Sequence, residues 1–370
     1  MLLRAALAPT NSFKKRSTRE GRGGLHHRQS GVKAPSWALR SSQEALQSDF
    51  MEEDEYCRGT LPLPRKLNQH EGNLMNMKTI KTCLATASMA VAAVAVADTY
   101  TSIDFPGAIL TDVSGINASG EIVGSYNDAS NVVHGFRFEH GMFVTIDYPG
   151  ALSTAPVSIN SRGDVAGFFL DSANQWHGFA LSDGTYHVQD YPGATTGTFT
   201  LGISANGMLV GEFKLGQAFG QLGFAWIMRH GQYTQLIPPG SAFAFATSGN
   251  SRGDVVGRLI DTSGGQAAWK LDNDGTYHVF GYPGATLTNA RNINSKGEVV
   301  GVYRTGVNHG FVLAANDFSN FISIDFPGAV ATRALGINSC GDIVGTYGSV
   351  AAGTGHGFLL VRDDAQCEEE

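Results

Sequence analysis

The amino-acid sequence predicts an all-β protein, a six-bladed β-propeller built from four-stranded blades. Three observations predict it: short signatures recur six times in one order, each repeat has room for four short strands, and the two chain ends are offset by one strand. The composition agrees, because 42% of the 370 residues are hydrophobic and 10% are aromatic, beside 47 glycines without a three-residue period. This excludes a disordered chain and a collagen-like chain.

The repeat is defined by three signatures. The first is a Pro-Gly pair, whose prolines are Pro106, Pro149, Pro192, Pro239, Pro283 and Pro327. The second is an Asn-x-x-Gly segment followed by an acidic residue and a short apolar run, as in INASGEIVG at 116–124. The third is His-Gly-Phe or a variant of it, at 134–136, 177–179, 222–224, 267–269, 309–311 and 356–358. Successive prolines are 43 to 47 residues apart, which is the length of one propeller blade.

Each repeat contains four segments that are typical of strands. In the first repeat these are TDVSGIN, EIVGSY, HGFRF and MFVTIDY, which are rich in β-branched and aromatic residues. Turn residues separate them: Asn117 and Gly120 suit a type I turn, and Tyr148-Pro149-Gly150-Ala151 suits a type II turn. Asp183-Gly184 is a two-residue hairpin signal.

The chain ends indicate how the ring closes. The repeat region opens with TYTSIDFPG, a fourth strand without a blade, and closes with HGFLLVRDD, a third strand without a fourth. Pairing the two removes two exposed strand edges. We therefore expect the N-terminal strand to complete the last blade, with the propeller at 98–362 and an acidic tail at 363–370.

Residues 77–97 have the order of a secretory signal peptide. Lys78 and Lys81 precede an apolar stretch, and Ala95-Val96-Ala97 is a small-x-small cleavage site. We expect cleavage near Ala97 and an extracellular or periplasmic protein; a buried helix is the alternative. Residues 1–76 have no apolar periodicity, and we interpret them as an over-extended reading frame without packed structure.

Charge restricts the partners. Residues 98–370 contain 12 Lys and Arg and 25 Asp and Glu, a net charge of −13, which opposes nucleic-acid binding. This region has no apolar run of the ~18 residues that a membrane span needs. We expect a monomer that binds no nucleic acid and has no membrane span in the mature chain.

A histidine and an aspartate occur together in four repeats. The predicted pairs are His134 with Asp147, His177 with Asp190, His309 with Asp325, and His356 with Asp104 of the N-terminal strand. Leu222 and Ala267 replace the histidine in repeats three and four, where Ile237 and Gly281 replace the aspartate. Two-residue hairpins place the paired residues opposite each other on neighbouring strands.

We interpret these histidine–aspartate pairs as structural hydrogen bonds. Histidines on separate blades cannot converge on one metal ion, and no nucleophile recurs beside them. The sequence indicates no catalytic, cofactor-binding or metal-binding residue.

The loops between the second and third strands vary, whereas the Asn-x-x-Gly turns are uniform. A uniform face and a variable face favour recognition on the variable one, although such variation also arises without a function. The candidate ligand-binding residues are Trp176, Lys214, Arg258, Asp261, Tyr303 and Arg304.

Cys340 and Cys367 are the only cysteines after the predicted cleavage site, and a disulfide between them would attach the tail.

The motif I-N-x-x-G-[DE]-[IV]-V-G followed by H-G-F resembles the bacterial extracellular repeats of the HAF family, named for a His-Ala-Phe triplet. This chain has glycine in the middle place and lacks the histidine in two repeats. The resemblance covers about 99–362 and implies secretion and a repeat fold, without catalytic residues to transfer. The sequence thus favours a secreted, non-catalytic binding module for glycan or another surface polymer. A glycan lyase or hydrolase and an architectural cell-surface protein are the alternatives.

Overall fold

A computed structural model describes residues 98–216, 223–349 and 354–362. These residues form 24 strands and no helix, so the predicted all-β class is confirmed. No helical segment within them could cross a membrane. The predictions for 1–76, 77–97 and 363–370 lie outside the described residues.

The strands are short and follow the repeat. In chain order they are β1 Thr99–Ile103, β2 Leu110–Ile116, β3 Ile122–Asn127, β4 Val133–Glu139, β5 Met142–Thr145, β6 Ser153–Ile159, β7 Val165–Leu170, β8 Trp176–Ser182, β9 Thr185–Gln189, β10 Gly197–Ile203, β11 Leu209–Lys214, β12 Phe224–Arg229, β13 Gln232–Gln235, β14 Ser241–Gly249, β15 Val255–Asp261, β16 Gln266–Leu271, β17 Tyr277–Phe280, β18 Leu287–Ile293, β19 Val299–Arg304, β20 Asn308–Leu313, β21 Phe321–Ile324, β22 Ala331–Ile337, β23 Ile343–Ser349 and β24 Thr354–Val361.

The strands pair in antiparallel groups of four, one group for each repeat. Groups one to five begin at β2, β6, β10, β14 and β18 and contain four consecutive strands. Group six consists of β22, β23 and β24, to which β1 adds the fourth strand. The β1–β24 register runs from Thr99 opposite Val361 to Ile103 opposite Gly357. Single parallel pairs, Gly197 with Trp176 and Gln266 with Leu287, join groups two and three and groups four and five.

The turns take the conformations that their residues favour. Ala151 donates its backbone N–H to the Tyr148 carbonyl at 3.1 Å, and Gly150 has a φ of 80°, as a type II turn requires. The β8–β9 hairpin has φ values of 48° at Asp183 and 72° at Gly184. Two positive φ values match the twist of the flanking strands and fix a two-residue hairpin.

The hydrophobic core lies between consecutive groups. One cluster joins Met208 and Val210 of group three to Val255 and Trp269 of group four. Another joins Val344 of group six to residues of β1 and group one, which are Ile103, Val113, Ile116, Ile122 and Phe136. A sheet with two covered faces needs apolar side chains on both of them, which explains the continuous apolar runs of the central strands.

Strand pairing corrects the sequence alignment of the third repeat. Trp226 lies opposite Gly211, as Phe136 lies opposite Gly124 in the first repeat. Phe224 therefore stands at the histidine position, whereas the sequence comparison had placed Leu222 there. The Gly223-Phe224 dipeptide resembles the signature, but it is displaced by two residues in this longest repeat. Leu222 itself lies outside the described residues.

Candidate functional site

Side-chain amides connect each group to the next at the Asn-x-x-Gly turns. The Asn117 Nδ2 donates to the Asn160 carbonyl at 3.2 Å, and the Asn160 Nδ2 donates to the Ser204 carbonyl at 3.1 Å. Asn250 and Asn294 make the same bond to the following group, at 3.2 and 3.0 Å. Asn338 of group six donates to the Asn117 carbonyl of group one at 3.2 Å. The sequence predicts these asparagines only as turn residues, and their contact with the next group was not predicted.

The acidic residue of the signature belongs to the same network. Asn160 donates to the Asp164 carboxylate at 3.0 Å and accepts the Asp164 backbone N–H at 2.9 Å. Burial opposes ionisation of Asp164, but hydrogen bonds from Ser182 and Asn160 and the charge of Arg162 outweigh it and lower its pKa. In repeat three, Ser204 and Met208 replace both the asparagine and the acid, and Asn206 donates instead to the Ser251 carbonyl at 3.2 Å.

A small central pocket lies at this end of the molecule. It holds only about 40 Å³ and is lined by the last residues of the first strand in all six groups, which include Ile116, Ile159, Ile203, Gly249, Ile293 and Ile337. That volume has room for a few water molecules at most. We call this the asparagine end, and the opposite end, which carries the Pro-Gly turns, the proline end.

The four predicted histidine–aspartate pairs lie at the proline end, where the third strands begin. The Nδ1 atoms of His134 and His177 are 2.7 and 2.8 Å from the carboxylates of Asp147 and Asp190. His309 lies 3.0 Å from Asp325, and His356 lies 3.1 Å from Asp104 of β1. Each ring also stacks on an aromatic residue of the second strand, as His134 does on Tyr126 at 5.2 Å. The contacts hold neighbouring strands together.

We expect each of these pairs to stabilise the protein only modestly. The His309 and Asp325 side chains are 27% and 48% exposed, so water screens their attraction. A double-mutant cycle with His309→Ala and Asp325→Ala, measured by urea unfolding, should give a coupling free energy of about 0.5–1 kcal/mol. The same cycle on Asp317 in place of Asp325 is the control and should give no coupling. A coupling free energy near zero for the His309–Asp325 pair would contradict the structural interpretation.

One position of the first strand holds five different residue types in the six groups. Each second strand contains a glycine, and the residue after that glycine pairs with this first-strand position. In group one the glycine is Gly124, and the next residue, Ser125, pairs with Asp112. We call these residues the first-strand set: Asp112, Ala155, Phe199, Phe245, Asn289 and Arg333. Asp112 precedes Asn117 by five residues, or roughly 16 Å of extended chain. The set therefore lies towards the proline end.

Asp112 and Arg333 place opposite charges in the interior. They are 9% and 5% exposed. Burial raises the pKa of Asp112, although the charges of Arg333 and Arg291 and a hydrogen bond from Ser114 oppose the rise. A buried charge costs desolvation energy that a hydrophobic pair would not cost. The signal in the sequence for this cluster is that one first-strand position varies between acidic, basic, amide, aromatic and aliphatic side chains, whereas the Asn-x-x-Gly turns beside it are uniform.

Two further cations lie over aromatic members of the set. The Lys214 Nζ is 4.9 Å from the centre of the Phe199 ring and 3.5 Å from a Glu212 carboxylate oxygen. The Arg258 Cζ is 4.5 Å from the centre of the Phe245 ring. Both geometries allow attraction between the cation and the ring face. The structure thus places the predicted residues Lys214 and Arg258 beside the first-strand set.

The aromatic candidates are located differently from the expectation. Trp176 and Tyr303 are each only 5% exposed, so neither offers a ring face to solvent. Trp176 begins β8 and packs against Phe168 and Phe199, with both pairs of ring centres 5.6 Å apart. Tyr303 stacks on Tyr282 at 3.6 Å. Each side chain points towards the neighbouring group and joins the core, and a part in ligand binding stays a prediction for both.

The remaining candidates hold local structure. The Asp261 carboxylate accepts the backbone N–H groups of Ser263 and Gly265 at 2.7 and 2.9 Å, which fixes its loop. These bonds, together with one from the Ser263 hydroxyl, lower the pKa of Asp261. The Arg304 Nε donates to Asn308 at 3.1 Å. Arg304 is the last residue of β19 at the proline end, as Lys214 is the last residue of β11.

Cys340 is disulfide-bonded and 6% exposed. Cys367 lies outside the described residues, so the Cys340–Cys367 pairing stays a prediction. Within the described ranges, no three His, Cys, Asp or Glu side chains are grouped so that they could hold a metal ion.

Comparison with known proteins gives similarity of structure only. No family model and no curated protein matches the chain. A solved structure of AofleA from Arthrobotrys oligospora has a TM-score of 0.47 at 12% identity, over 73% of this chain and 88% of that one. The lectin of Aleuria aurantia, described as a six-bladed β-propeller with a fucose recognition mode, has a TM-score of 0.42 at 8% identity, over 68% and 91%. TolB from Acinetobacter baumannii has a TM-score of 0.46 at 12% identity, over 68% and 65%.

Proposed function

We propose that this chain is a secreted, closed six-bladed β-propeller that acts as a non-catalytic binding module. Its ligand is a glycan or another surface polymer, bound at the proline end. One observation carries the proposal: five of the six groups share the same hydrogen-bonded asparagine at the asparagine end, whereas the first-strand set near the proline end combines acidic, basic, amide, aromatic and aliphatic side chains. A scaffold needs identical residues at equivalent places, whereas a single bound ligand needs different ones.

Two contacts support the closed ring. β1 pairs with β24 along five residues, and the Asn338 amide reaches Asn117 at the distance seen between consecutive groups. Secretion and the HAF-type resemblance rest on the sequence alone. Both belong to the proposal.

A glycan lyase or hydrolase is the second candidate function. It is favoured by Asp112, whose pKa burial raises beside Arg333 and Arg291, because enzymes use perturbed carboxyl groups as general acids. We favour binding, because arginine and lysine side chains extend over four groups, from Lys214 in group three to Arg333 in group six.

A panel of immobilised glycans tests the proposal. The chain beginning at Asp98 should bind at least one glycan, and Lys214→Ala should weaken that binding. Lys296→Ala, in an Asn-x-x-Gly turn, is the control with the same loss of charge at the other end. Binding that both variants retain in full would contradict the proposed face, and release of soluble sugar products would favour the enzyme.

A further inference from the structure

The two innermost strands of the groups carry a net positive charge, although seven of the twelve Lys and Arg residues of 98–370 lie elsewhere. The first and second strands of the six groups carry five cationic residues, which are Lys214, Arg258, Arg291, Arg304 and Arg333. The same twelve strands carry three acidic residues, Asp112, Glu212 and Asp261. Their balance is +2, whereas residues 98–370 together have a net charge of −13. The outer strands, turns and tail therefore hold all of the excess negative charge.

We propose that the ligand at the proline end is an acidic glycan, a polysaccharide that carries carboxylate or sulfate groups. This inference rests on the proposed function and names the ligand class of the same site. The cations occupy consecutive groups: Lys214 in group three, Arg258 in group four, Arg291 and Arg304 in group five, and Arg333 in group six. A polymer with a charge on each sugar can contact several of them at once, whereas a small anion would contact one or two.

The surroundings strengthen the attraction for an anion. The Lys214 side chain is 25% exposed, and the Phe199 and Phe245 rings beneath Lys214 and Arg258 are 8% and 7% exposed. Arg333 is only 5% exposed and therefore acts through its field instead of by direct contact. Charges beside low-dielectric walls act over a longer range than charges in open water. Guanidinium groups also bind carboxylate and sulfate oxygens in a fixed two-pronged geometry.

The same arrangement disfavours a nucleic acid as the anionic polymer. Single-stranded nucleic acids bind through bases that stack on open aromatic faces, but the Phe199 and Phe245 rings are buried beneath cations. The acidic remainder of the surface would repel a duplex, whose phosphates are closely spaced on all sides. Sugars need no open aromatic face, and a polysaccharide with one charge on each sugar is repelled less than a duplex, because its charges are farther apart.

The test compares four immobilised polymers: polygalacturonate, dextran sulfate, neutral dextran and double-stranded DNA. The chain beginning at Asp98 should bind polygalacturonate or dextran sulfate at least tenfold more tightly than dextran or DNA. The apparent Kd should rise several-fold between 50 and 200 mM salt, since ionic contacts are screened. The double variant Lys214→Gln/Arg304→Gln should weaken binding about tenfold.

The control is Arg162→Gln/Lys296→Gln, which removes two charges from Asn-x-x-Gly turns and should leave the affinity unchanged. Thermal unfolding of both variants must match the parent chain, so that lost affinity is not lost folding. Preference for carboxylate or sulfate identifies the acidic group. The chain could instead bind neutral glycans at all salt concentrations, with weaker binding by the Lys214→Ala variant. That result would overturn this inference and leave the proposed function intact. Equal binding to DNA would also overturn it, and absence of binding to any polysaccharide would refute the proposed function as well.

Discussion

A chain that begins at Pro106 instead of Asp98 is expected to lose cooperative folding. The deletion removes β1 and its five residue pairs with β24. It also removes Ile103, which is 7% exposed and packs with Val113 and Phe136, and Tyr100, which contacts Phe326 edge-on at 5.5 Å. Loss of one buried aliphatic side chain costs about 2–5 kcal/mol, and a whole domain is stable by only about 5–15 kcal/mol.

The measurement is thermal unfolding followed by circular dichroism, with size-exclusion chromatography at the same concentration. The shortened chain should aggregate, because β24 then presents an open edge of unpaired backbone groups. The chain that begins at Asp98 is the control, and it should unfold at the same temperature as the chain of 370 residues. A shortened chain that remains monomeric and unfolds within a few degrees of the control would contradict the proposed closure.

The substitution Gly257→Ala is expected to prevent folding or to destabilise the protein by more than about 3 kcal/mol. A Cβ atom at Gly257 would lie 1.9 Å from the Phe245 carbonyl oxygen and 2.7 Å from the Trp269 ring. The oxygen belongs to the backbone of the adjacent strand, where the pairing of β14 with β15 shifts register. Neither the carbonyl nor the fully buried Trp269 has space to move.

Gly281→Ala is the matched control, because the nearest heavy atom to its added Cβ is the Thr288 Oγ1 at 3.6 Å. Its unfolding temperature should remain within about 2 °C of the parent. Soluble Gly257→Ala protein with parental stability would show that β14 can move away from β15. The same close approach occurs at the five equivalent glycines, where the added Cβ would lie 1.9–2.3 Å from a first-strand carbonyl oxygen.

The binding prediction depends on a few charged residues near the proline end, whereas the two stability predictions depend on strand pairing and packing. Asp112, Arg291 and Arg333 come from groups one, five and six, and their charges act on one another only because the first strands lie side by side. Lys214 and Arg258 join them through contacts with Phe199 and Phe245. A change of Lys214 or Arg258 should alter affinity more than stability, since partly exposed charges contribute little to folding. A change of Asp112 or Arg333 should destabilise the protein as well, because it leaves a buried charge without its partner.

The sequence by itself determined the features that depend on short stretches of chain. The repeat length, the Tyr148–Ala151 turn and the Asp183-Gly184 hairpin follow from local backbone preferences. A two-residue hairpin also fixes its register, which is why His134 and Asp147 could be paired thirteen residues apart.

Only the tertiary structure decided the contacts between groups. The Asn160 amide reaches the Ser204 carbonyl of the next group, Trp176 packs against Phe199, and strand pairing moves the third signature of repeat three to Phe224–Trp226. The Asn160–Ser204 and Trp176–Phe199 contacts join residues 44 and 23 positions apart through the packing of one sheet on another. That packing depends on side-chain volume over two whole faces, which a repeated pattern of letters does not specify.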